Sequence, residues 1–298
     1  MSAVEQQVAV VIVLHNSAAT LRDCLDALLG QAALAEVILV DNASTDDWRD
    51  QLPDDPRIRQ VLNPDNAGFS AACNQGAAAT QSPWLLFLNP DCLLPAGALV
   101  ELLEVADARG GQGLLGAQLL EADGRLQPAS RRLAPTPPRL LRGRIDLPAP
   151  PWSKDPGKAP VFEALEAISG ALMLIPRSLF DALGGFDEGY RLHCEDLDLC
   201  RRVHQHHAWV GIASRVRVVH IKGTSSRRRP LWVEWQKHRG IWRYFRKFDA
   251  AQTPWWLNGV LWVGLWCRLP LAAIRGLYRA RVEPTDAIEE ASPHPGDR

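Results

Sequence analysis

Leu85-Leu86-Phe87-Leu88-Asn89-Pro90-Asp91-Cys92 predicts a buried strand that leads directly into a carboxylate. Four consecutive apolar residues suit a strand covered on both faces, as in a parallel or mixed α/β sheet. Pro90 cannot donate to a neighbouring strand, so the strand should end near Asn89 and leave Asp91 at the carboxyl edge of the sheet. Ligands of open α/β sheets bind at that edge. The stretch therefore predicts an α/β fold with a binding site around Asp91.

Two strands are predicted upstream, at residues 8–14 and 36–40, and each ends in polar residues. Apolar residues at helical spacing lie between them, which indicates a βαβ unit with parallel strands. The polar residues that follow the two strands are His15, Asn16, Asp41 and Asn42. We expect them on the same sheet edge as Asp91. A helix-capping turn is the alternative interpretation of the loop at 41–46.

Downstream of this unit, residues 63–69 are rich in turn-forming residues, among them Asn66 and Gly68. The small residues of 70–80, which include Asn74, predict a helix packed closely against the sheet. A further helix is predicted over 95–109.

An acidic cluster, Glu195-Asp196-Leu197-Asp198, is predicted to open a helix. Carboxylates in a first helical turn are favoured electrostatically and tend to stay ionised. An ionised carboxylate that faces a cleft can act as a general base. Favourable helix charge without chemistry is the alternative. Residues 208–220 return as a strand that ends at His220.

Length and composition predict one α/β domain with an appendage. A chain of 298 residues can bury a substantial core. Its 47% apolar and 22% charged residues are typical of a folded protein. The six cysteines form no CxxC pair, so we expect reduced thiols in a cytoplasmic protein. The apolar run near the N-terminus has no basic flank, which favours a strand over a secretory signal.

A Pro-rich stretch, with nine prolines between Pro128 and Pro160, shows little periodicity. We predict a mobile loop over about 123–160, because loops of this length are usually functional lids or disordered segments.

The C-terminal part carries a separate charge pattern. Residues 222–281 hold thirteen Lys or Arg and two acids, a balance of +11 that leaves −12 for the remainder, and they include seven of the eleven tryptophans. We predict that 227–282 forms a helical extension that lies in the plane of a membrane surface. A packed subdomain or a homo-oligomer interface is the alternative. No nucleic acid is expected as a partner, since the body of the chain is acidic, and 283–298 predicts a disordered tail.

Six motifs together give the chain a resemblance to glycosyltransferase family 2, and most of all to its rhamnosyltransferase-like bacterial members. They stand in the family's order over residues 8–226 and read VVIVLHNSAATLRDCLDAL, VILVDNASTD, NPDNAGFSAACNQGA, LFLNPDC, SGALMLIPRSLFDALGGFDEGYRLHCEDLDLCRRV and VVHIKGTSS. The resemblance implies the GT-A fold, a Rossmann-like mixed sheet flanked by helices, as a domain over residues 1–226.

The resemblance also implies roles for residues. Asp196, with Glu195 beside it, resembles the base that deprotonates the acceptor hydroxyl. Asp91 resembles the last residue of the DXD motif, which holds Mg²⁺ or Mn²⁺ against the donor diphosphate, and His220 resembles a residue that completes the metal shell in some relatives. The residues implied in binding the nucleotide-sugar are His15, Asn16, Asp41, Asn42, Asn66, Gly68, Asn74, Asn89 and Asp91. The DXD motif stands here as Asn89-Pro90-Asp91, with one carboxylate fewer than in the family's pattern.

The function implied is transfer of a sugar, with rhamnose favoured, from a UDP- or dTDP-sugar to a glycan or lipid-linked acceptor in cell-surface polysaccharide synthesis. A hard cation suits a diphosphate leaving group, and a single in-line attack predicts inversion at the anomeric carbon. We expect a cytoplasmic enzyme that is peripheral at the cytoplasmic face of the membrane. A catalytically silent nucleotide-sugar-binding or scaffold protein is the alternative.

Overall fold

A computed structural model describes residues 7–142, 147–221 and 230–282. The predicted tail at 283–298 and the predicted domain boundary at 226 lie outside the described residues. The described chain builds a central nine-stranded mixed sheet with helices against it, together with a separate two-stranded sheet.

The strands are β1 Val8–Leu14, β2 Leu34–Asn42, β3 Ile58–Asn63, β4 Trp84–Leu88, β5 Cys92–Leu93, β6 Gly113–Leu120, β7 Arg131–Arg132, β8 Phe162–Ala164, β9 Ala167–Ile168, β10 Leu172–Pro176 and β11 Trp209–His220. The α-helices are α1 Ala18–Leu29, α2 Phe69–Ala78, α3 Ala98–Asp107, α4 Pro137–Arg142, α5 Arg177–Ala182, α6 Glu195–Gln205, α7 Pro230–Phe248 and α8 Trp255–Val282. The helix predicted from residue 95 begins at Ala98, after Gly97 in a left-handed conformation with φ 77°.

The central sheet has the order β3-β2-β1-β4-β10-β6-β11-β5, and β8 pairs with β11. Strands β1, β2 and β4 are mutually parallel, as predicted, and β3, which was not predicted, is parallel to β2, whereas β10 runs antiparallel to β4 and to β6. Parallel order places the carboxyl ends of β1, β2 and β4 at one edge. The residues that follow these strands therefore meet there.

Helix α2 packs closely against this sheet because its sequence supplies small residues. A Cβ built on Gly76 would lie 2.3 Å from Cγ1 of Val11 on β1 and 3.1 Å from Cγ2 of Val40 on β2. Only a residue without a side chain leaves room for this approach. The close packing predicted for the segment is confirmed.

The predicted Pro-rich loop contains short elements in its described part. Strand β7 pairs antiparallel with β9, with Arg131 opposite Ile168 and Arg132 opposite Ala167. Helix α4 and turns of 3-10 helix follow. Proline-rich sequence lacks the periodicity of helices and strands, so these short elements were not predicted.

Helix α7 packs on the body of the protein. Tyr244 is buried in the same core as residues of β1, β4 and α6, and Lys247 forms ion pairs with Asp187 and Asp198 at 2.7 Å. Helices α7 and α8 contact each other. At least α7 therefore belongs to the main core, in keeping with the packed alternative for this part of the extension. No helix within the described ranges combines the length and apolarity needed to cross a membrane.

Candidate active site

The loop after β2 is held by its own polar side chains. Oδ1 of Asp41 accepts a hydrogen bond from the Ser44 amide at 2.9 Å, which is the capping contact of a tight turn. The Asp41 side chain is nearly buried, and its Oδ2 lies 3.9 Å from Nη2 of Arg49. Oδ1 of Asp41 thus closes a turn and caps no described helix, while Oδ2 accepts no hydrogen bond from a described residue.

Residues at the end of β1 fasten this loop to the sheet. Nδ1 of His15 lies 3.0 Å from the carbonyl of Asn42, and Oδ1 of Asn16 accepts a hydrogen bond from the Thr45 amide at 2.8 Å. Asn16 has a positive φ of 56°, a conformation that asparagine tolerates better than most residues. The structure brings His15, Asn16 and Asp41 together at the carboxyl edge, as predicted.

Asn66 and Gly68 shape a neighbouring loop. Oδ1 of Asn66 accepts a hydrogen bond from the Gly68 amide at 3.0 Å, and the Gly68 carbonyl accepts one from Nδ2 of Asn42 at 3.2 Å. Gly68 has φ 93°, and a Cβ at this position would lie 3.1 Å from the Arg191 backbone. Both the backbone conformation and the contact with Arg191 require glycine.

Asn74 makes structural contacts. Its Nδ2 donates to the carbonyl of Phe186 at 3.0 Å and to Oε1 of Glu188 at 2.9 Å, and its Oδ1 accepts from the Phe186 amide at 2.8 Å. These bonds fasten the segment before α6 to α2. The hydrogen-bonding atoms that were predicted to contact the nucleotide-sugar are therefore already engaged.

Asp91 and His220 lie side by side because β5 pairs with the end of β11. Cys92 stands opposite His220 in that pairing, and the Ile221 amide donates to the Asp91 carbonyl at 2.9 Å. Nε2 of His220 lies 3.2 Å from Oδ1 of Asp91 and 3.4 Å from Nδ2 of Asn89. Both the carboxylate and the imidazole are nearly buried. The predicted metal ligands are thus in direct proximity.

Gln127 fixes the orientation of the His220 ring. Nε2 of Gln127 donates to the His220 carbonyl at 2.7 Å, which leaves Oε1 of the amide 2.9 Å from Nδ1 of His220 as an acceptor. Nδ1 therefore carries a proton, and in the neutral ring the lone pair of Nε2 is directed toward Asp91 and Asn89. A carboxylate or amide behind a histidine is the usual outer support of a metal ligand.

The residues at this point fit a divalent cation. Oδ1 of Asp91 is a buried carboxylate oxygen that accepts no hydrogen bond from the described residues, and it faces an imidazole lone pair. When the imidazole is neutral, two electron-rich atoms lie in contact and repel each other unless a cation lies near both. Sγ of Cys92 completes the cluster within 4.8 Å. Burial raises the pKa of this thiol well above its usual value, so without a bound cation Cys92 stays protonated at neutral pH.

Asp196 is fixed from three directions at the start of α6. Its Oδ2 accepts from Nη2 of Arg132 and from the Gly170 amide at 2.9 Å, and its Oδ1 accepts from the Leu197 amide at 2.8 Å. An ionised carboxylate offers about four acceptor positions. Three are used, so one remains for the proton of an incoming hydroxyl.

Glu195, in contrast, is held in an uncharged state. Burial, and then the neighbouring charge of Asp196, raises the pKa of Glu195 to about 8. Its Oε2 is buried and has no hydrogen-bond partner among the described residues. A carboxyl that is protonated at neutral pH cannot accept a proton there, so Asp196 is the better candidate for a base.

The backbone that enters α6 is strained. His193 and Cys194 both have positive φ, 66° and 71°, which is uncommon for residues with a side chain. Such conformations persist where the surroundings impose them, and they cluster at functional sites. Here α7 helps to hold the turn: a Cβ on Gly240 would lie 2.9 Å from the His193 carbonyl oxygen and 3.0 Å from Sγ of Cys194.

Sequence reasoning did not identify Arg132 or Gln127 as site residues. Arg132 meets Asp196 across 64 positions in sequence, and Gln127 meets His220 across 93. Both come from the segment predicted as a loop. The sequence did contain one hint. The predicted loop holds arginines and a glutamine, whose side chains can bind polar residues at the edge of the sheet.

A family model described as "Glycosyl transferase family 2" matches residues 9–168. An N-acetylglucosaminyl-diphospho-decaprenol L-rhamnosyltransferase of Mycobacterium tuberculosis is 26% identical over 282 residues, which cover 85% of this chain and 88% of the relative. The O-antigen chain rhamnosyltransferase WbaN of Salmonella anatum is 26% identical over 57% of this chain and 51% of its own length.

Solved glycosyltransferase structures share the fold. GalNAc-T7 with UDP, GalNAc and Mn²⁺ superposes with a TM-score of 0.63 at 19% identity, over 83% of this chain and 49% of that one. The mannosyltransferase PcManGT of Pyrobaculum calidifontis, in complex with GDP-Man and Mn²⁺, has a TM-score of 0.59 at 18% identity, over 98% of this chain and 77% of its own. These neighbours are GT-A glycosyltransferases, which confirms the predicted fold class. With the family model matching more than half of its length, the chain belongs to glycosyl transferase family 2.

Proposed function

We propose that the protein is an inverting, metal-dependent enzyme that transfers a sugar, with rhamnose preferred, from a UDP- or dTDP-sugar to a hydroxyl of a glycan or lipid-linked acceptor. The observation that carries the proposal is the buried Oδ1 of Asp91, which accepts no hydrogen bond from a described residue and lies 3.2 Å from Nε2 of His220. The rhamnosyltransferase relatives support the sugar and the role in cell-surface polysaccharide synthesis, and the Mn²⁺-bound neighbours support a divalent cation.

Asp41 is the residue that we assign to the nucleotide base. Its Oδ2 accepts no hydrogen bond from a described residue and lies at the carboxyl edge of the sheet, where it can accept a hydrogen bond from a ring N–H. UDP and dTDP both carry such a pyrimidine N–H. The side chain is held in place by the Ser44 amide, so little ordering is needed when the nucleotide binds.

Asp91 and His220 would hold Mg²⁺ or Mn²⁺ at the donor diphosphate. The bound cation supplies charge that offsets the negative charge on the leaving diphosphate. Gln127 keeps the lone pair of His220 directed at this position. Asn89 donates to the same imidazole at 3.4 Å and can donate instead to a phosphate oxygen.

Asp196 receives the acceptor proton in this proposal. Arg132 and two backbone amides fix the position and orientation of the carboxylate. A base held on one face of the anomeric carbon, with the leaving group on the other, produces inversion in a single displacement.

Membrane contact at the cytoplasmic face is part of the same proposal. Helix α8 begins with Trp255 and Trp256, which are 85% and 57% exposed, and further apolar side chains on it are also exposed. Exposed tryptophans suit the headgroup region of a membrane. Replacing both by serine should reduce co-sedimentation with anionic vesicles, whereas unchanged co-sedimentation would contradict peripheral contact through α8.

The transfer reaction is tested with Asp196→Asn. The amide cannot take the acceptor proton, so we expect transfer from dTDP-rhamnose to be abolished while UDP and dTDP bind as in the wild type. Loss of nucleotide binding together with transfer would contradict the base assignment. Failure of the folded wild-type protein to bind any pyrimidine diphosphate would favour the catalytically silent scaffold alternative, which is consistent with the incomplete DXD motif.

A further inference from the structure

A basic, aromatic cavity lies between α7, α8 and the segment 187–192, outside the predicted donor residues. Its volume is about 840 Å³. Five cationic side chains and a single carboxylate line it, and four indoles share the same walls. This size is in the range of small-ligand sites.

Two of the cations are neutralised within the protein. Arg243 pairs with Asp187 at 2.7 Å, and Lys247 pairs with both Asp187 and Asp198 at 2.7 Å. The remaining cations are Arg191, Arg239 and Arg246, and none of the three has an ion pair with a carboxylate in the described part of the chain. The cavity thus keeps an excess positive charge, which favours an anionic ligand of charge about −2 to −3.

Trp266, one of the lining indoles, has a buried N–H without a partner in the described chain. Nε1 of Trp266 is shielded from solvent and donates to no described residue. The Trp266 ring packs against Trp235 with 4.8 Å between centroids, which fixes the direction of the N–H. The packed rings of Trp235 and Trp266 thus form a fixed aromatic wall of the cavity.

The cavity adjoins both predicted parts of the active site. The Arg191 carbonyl accepts from the Phe69 amide at 2.9 Å, and its side chain donates to the Asn66 carbonyl at 3.3 Å, so one wall touches the predicted donor loop. Gly240 of α7 lines the cavity and packs on His193 and Cys194, and Cys194 lies two residues before Asp196. The cavity therefore shares a wall with the turn that leads into the candidate base.

The opposite side of the cavity continues into an apolar surface. Trp262 lines the cavity and is 49% exposed, and Val260 and Val263 beside it on α8 are each 51% exposed. One end of the cavity thus faces the surface that we assign to the membrane, and the other faces the catalytic edge.

We propose that this cavity binds the diphosphate group of a polyprenyl-diphosphate-linked acceptor, with the prenyl chain along α8 and the sugar toward Asp196. The inference rests on the proposed function and identifies the acceptor class of that same site. Arg239 and Arg246 are the diphosphate ligands, since guanidinium groups bind phosphate through paired N–H donors.

The test is a titration of the full chain with farnesyl diphosphate, farnesyl monophosphate and UDP, followed by calorimetry and by tryptophan fluorescence. We expect farnesyl diphosphate to bind at least about tenfold more tightly than the monophosphate, because a second phosphate adds charge-assisted hydrogen bonds. Arg239→Gln and Arg246→Gln should each weaken that binding by about tenfold and leave UDP binding unchanged.

Arg268→Gln is the matched control, because Arg268 lies on α8, is exposed and does not line the cavity. It should bind farnesyl diphosphate as the wild type does. An equal loss in Arg268→Gln, or a loss of affinity for phosphatidylglycerol vesicles in Arg239→Gln and Arg246→Gln that equals their loss for farnesyl diphosphate, would show general attraction to an anionic surface and overturn the proposal. Intact UDP binding without any farnesyl diphosphate binding would overturn this inference alone, whereas loss of both in the folded protein would overturn the proposed function as well.

Discussion

Arg132→Met tests whether the partner of Asp196 positions the base. Nη2 of Arg132 contacts Oδ2 of Asp196 and the Ile168 carbonyl, and the arginine and aspartate side chains are 13% and 10% exposed. Removing one partner of a buried ion pair costs about 3–5 kcal/mol of stability. The carboxylate keeps its bonds from Gly170 and Leu197 but loses its third support. A displacement of about 1 Å of a catalytic group can cost about a hundredfold in rate, and we expect a kcat loss of that order.

Arg131→Met is the matched control for this change. Arg131 is the other residue of β7, with an 11% exposed side chain, and its guanidinium pairs with Glu163, which no predicted site residue contacts. This variant should be destabilised without a specific loss of kcat. Arg132→Lys keeps the charge and should recover part of the rate, which also separates a catalytic effect from failure to fold.

The assay measures kcat and KM for transfer from dTDP-rhamnose, with UDP binding and thermal unfolding measured on the same samples. The positioning account predicts a kcat loss in Arg132→Met that exceeds its control, with UDP affinity unchanged. Equal loss of kcat in both methionine variants, or full activity in Arg132→Met, would refute the reasoning.

Three further predictions concern single positions. Gln127→Leu removes the acceptor of the His220 Nδ1 proton, and we expect Mn²⁺ affinity to fall about 10- to 100-fold by direct titration of the metal; unchanged affinity would contradict the orienting role. Glu195 ionises near pH 4.5 when unfolded and at about 8 when folded, so the folded state binds the extra proton and the free energy of unfolding falls as pH rises between these values. Glu195→Gln should flatten this part of a melting-temperature profile, and an unaltered profile would exclude burial of a protonated Glu195. Gly76→Ala places a methyl group against Val11 and should cost about 1–3 kcal/mol in denaturant unfolding, with Gly30→Ala, where the space is open, as control.

The sequence was sufficient to predict the donor edge of the sheet. The apolar runs predict three buried strands, at residues 8–14, 36–40 and 85–88. Because parallel strands end at the same edge of a sheet, Asp41 and Asp91 must share that edge. The acidic start of α6 was equally visible, because carboxylates favour a helix N-terminus.

Contacts between distant segments were beyond such reasoning. The pairing of Arg132 with Asp196 depends on β7 meeting β9, two strands of two residues each, and strands that short leave no periodic pattern. The amphipathic pattern of α7 revealed an apolar face but not what covers it. A membrane and a protein core offer the same hydrophobic driving force, and the structure buries Tyr244 in the core.

The roles of Asn74 and Asp41 show a similar limit. A polar residue near a predicted site can contact the ligand or support the backbone, and residue type does not distinguish the two. Asn74 supports the segment 186–188, whereas one oxygen of Asp41 supports its loop and the other stays available.

The central claim is that a divalent cation held by Asp91 and His220 binds the donor diphosphate. A calorimetric titration of the wild type and of Asp91→Asn with UDP and dTDP, each with and without Mn²⁺, tests it most directly. The account predicts that Mn²⁺ strengthens binding of a pyrimidine diphosphate to the wild type and has no such effect on Asp91→Asn. Binding that is equally strong with and without Mn²⁺, or an undiminished Mn²⁺ effect in Asp91→Asn, would contradict it.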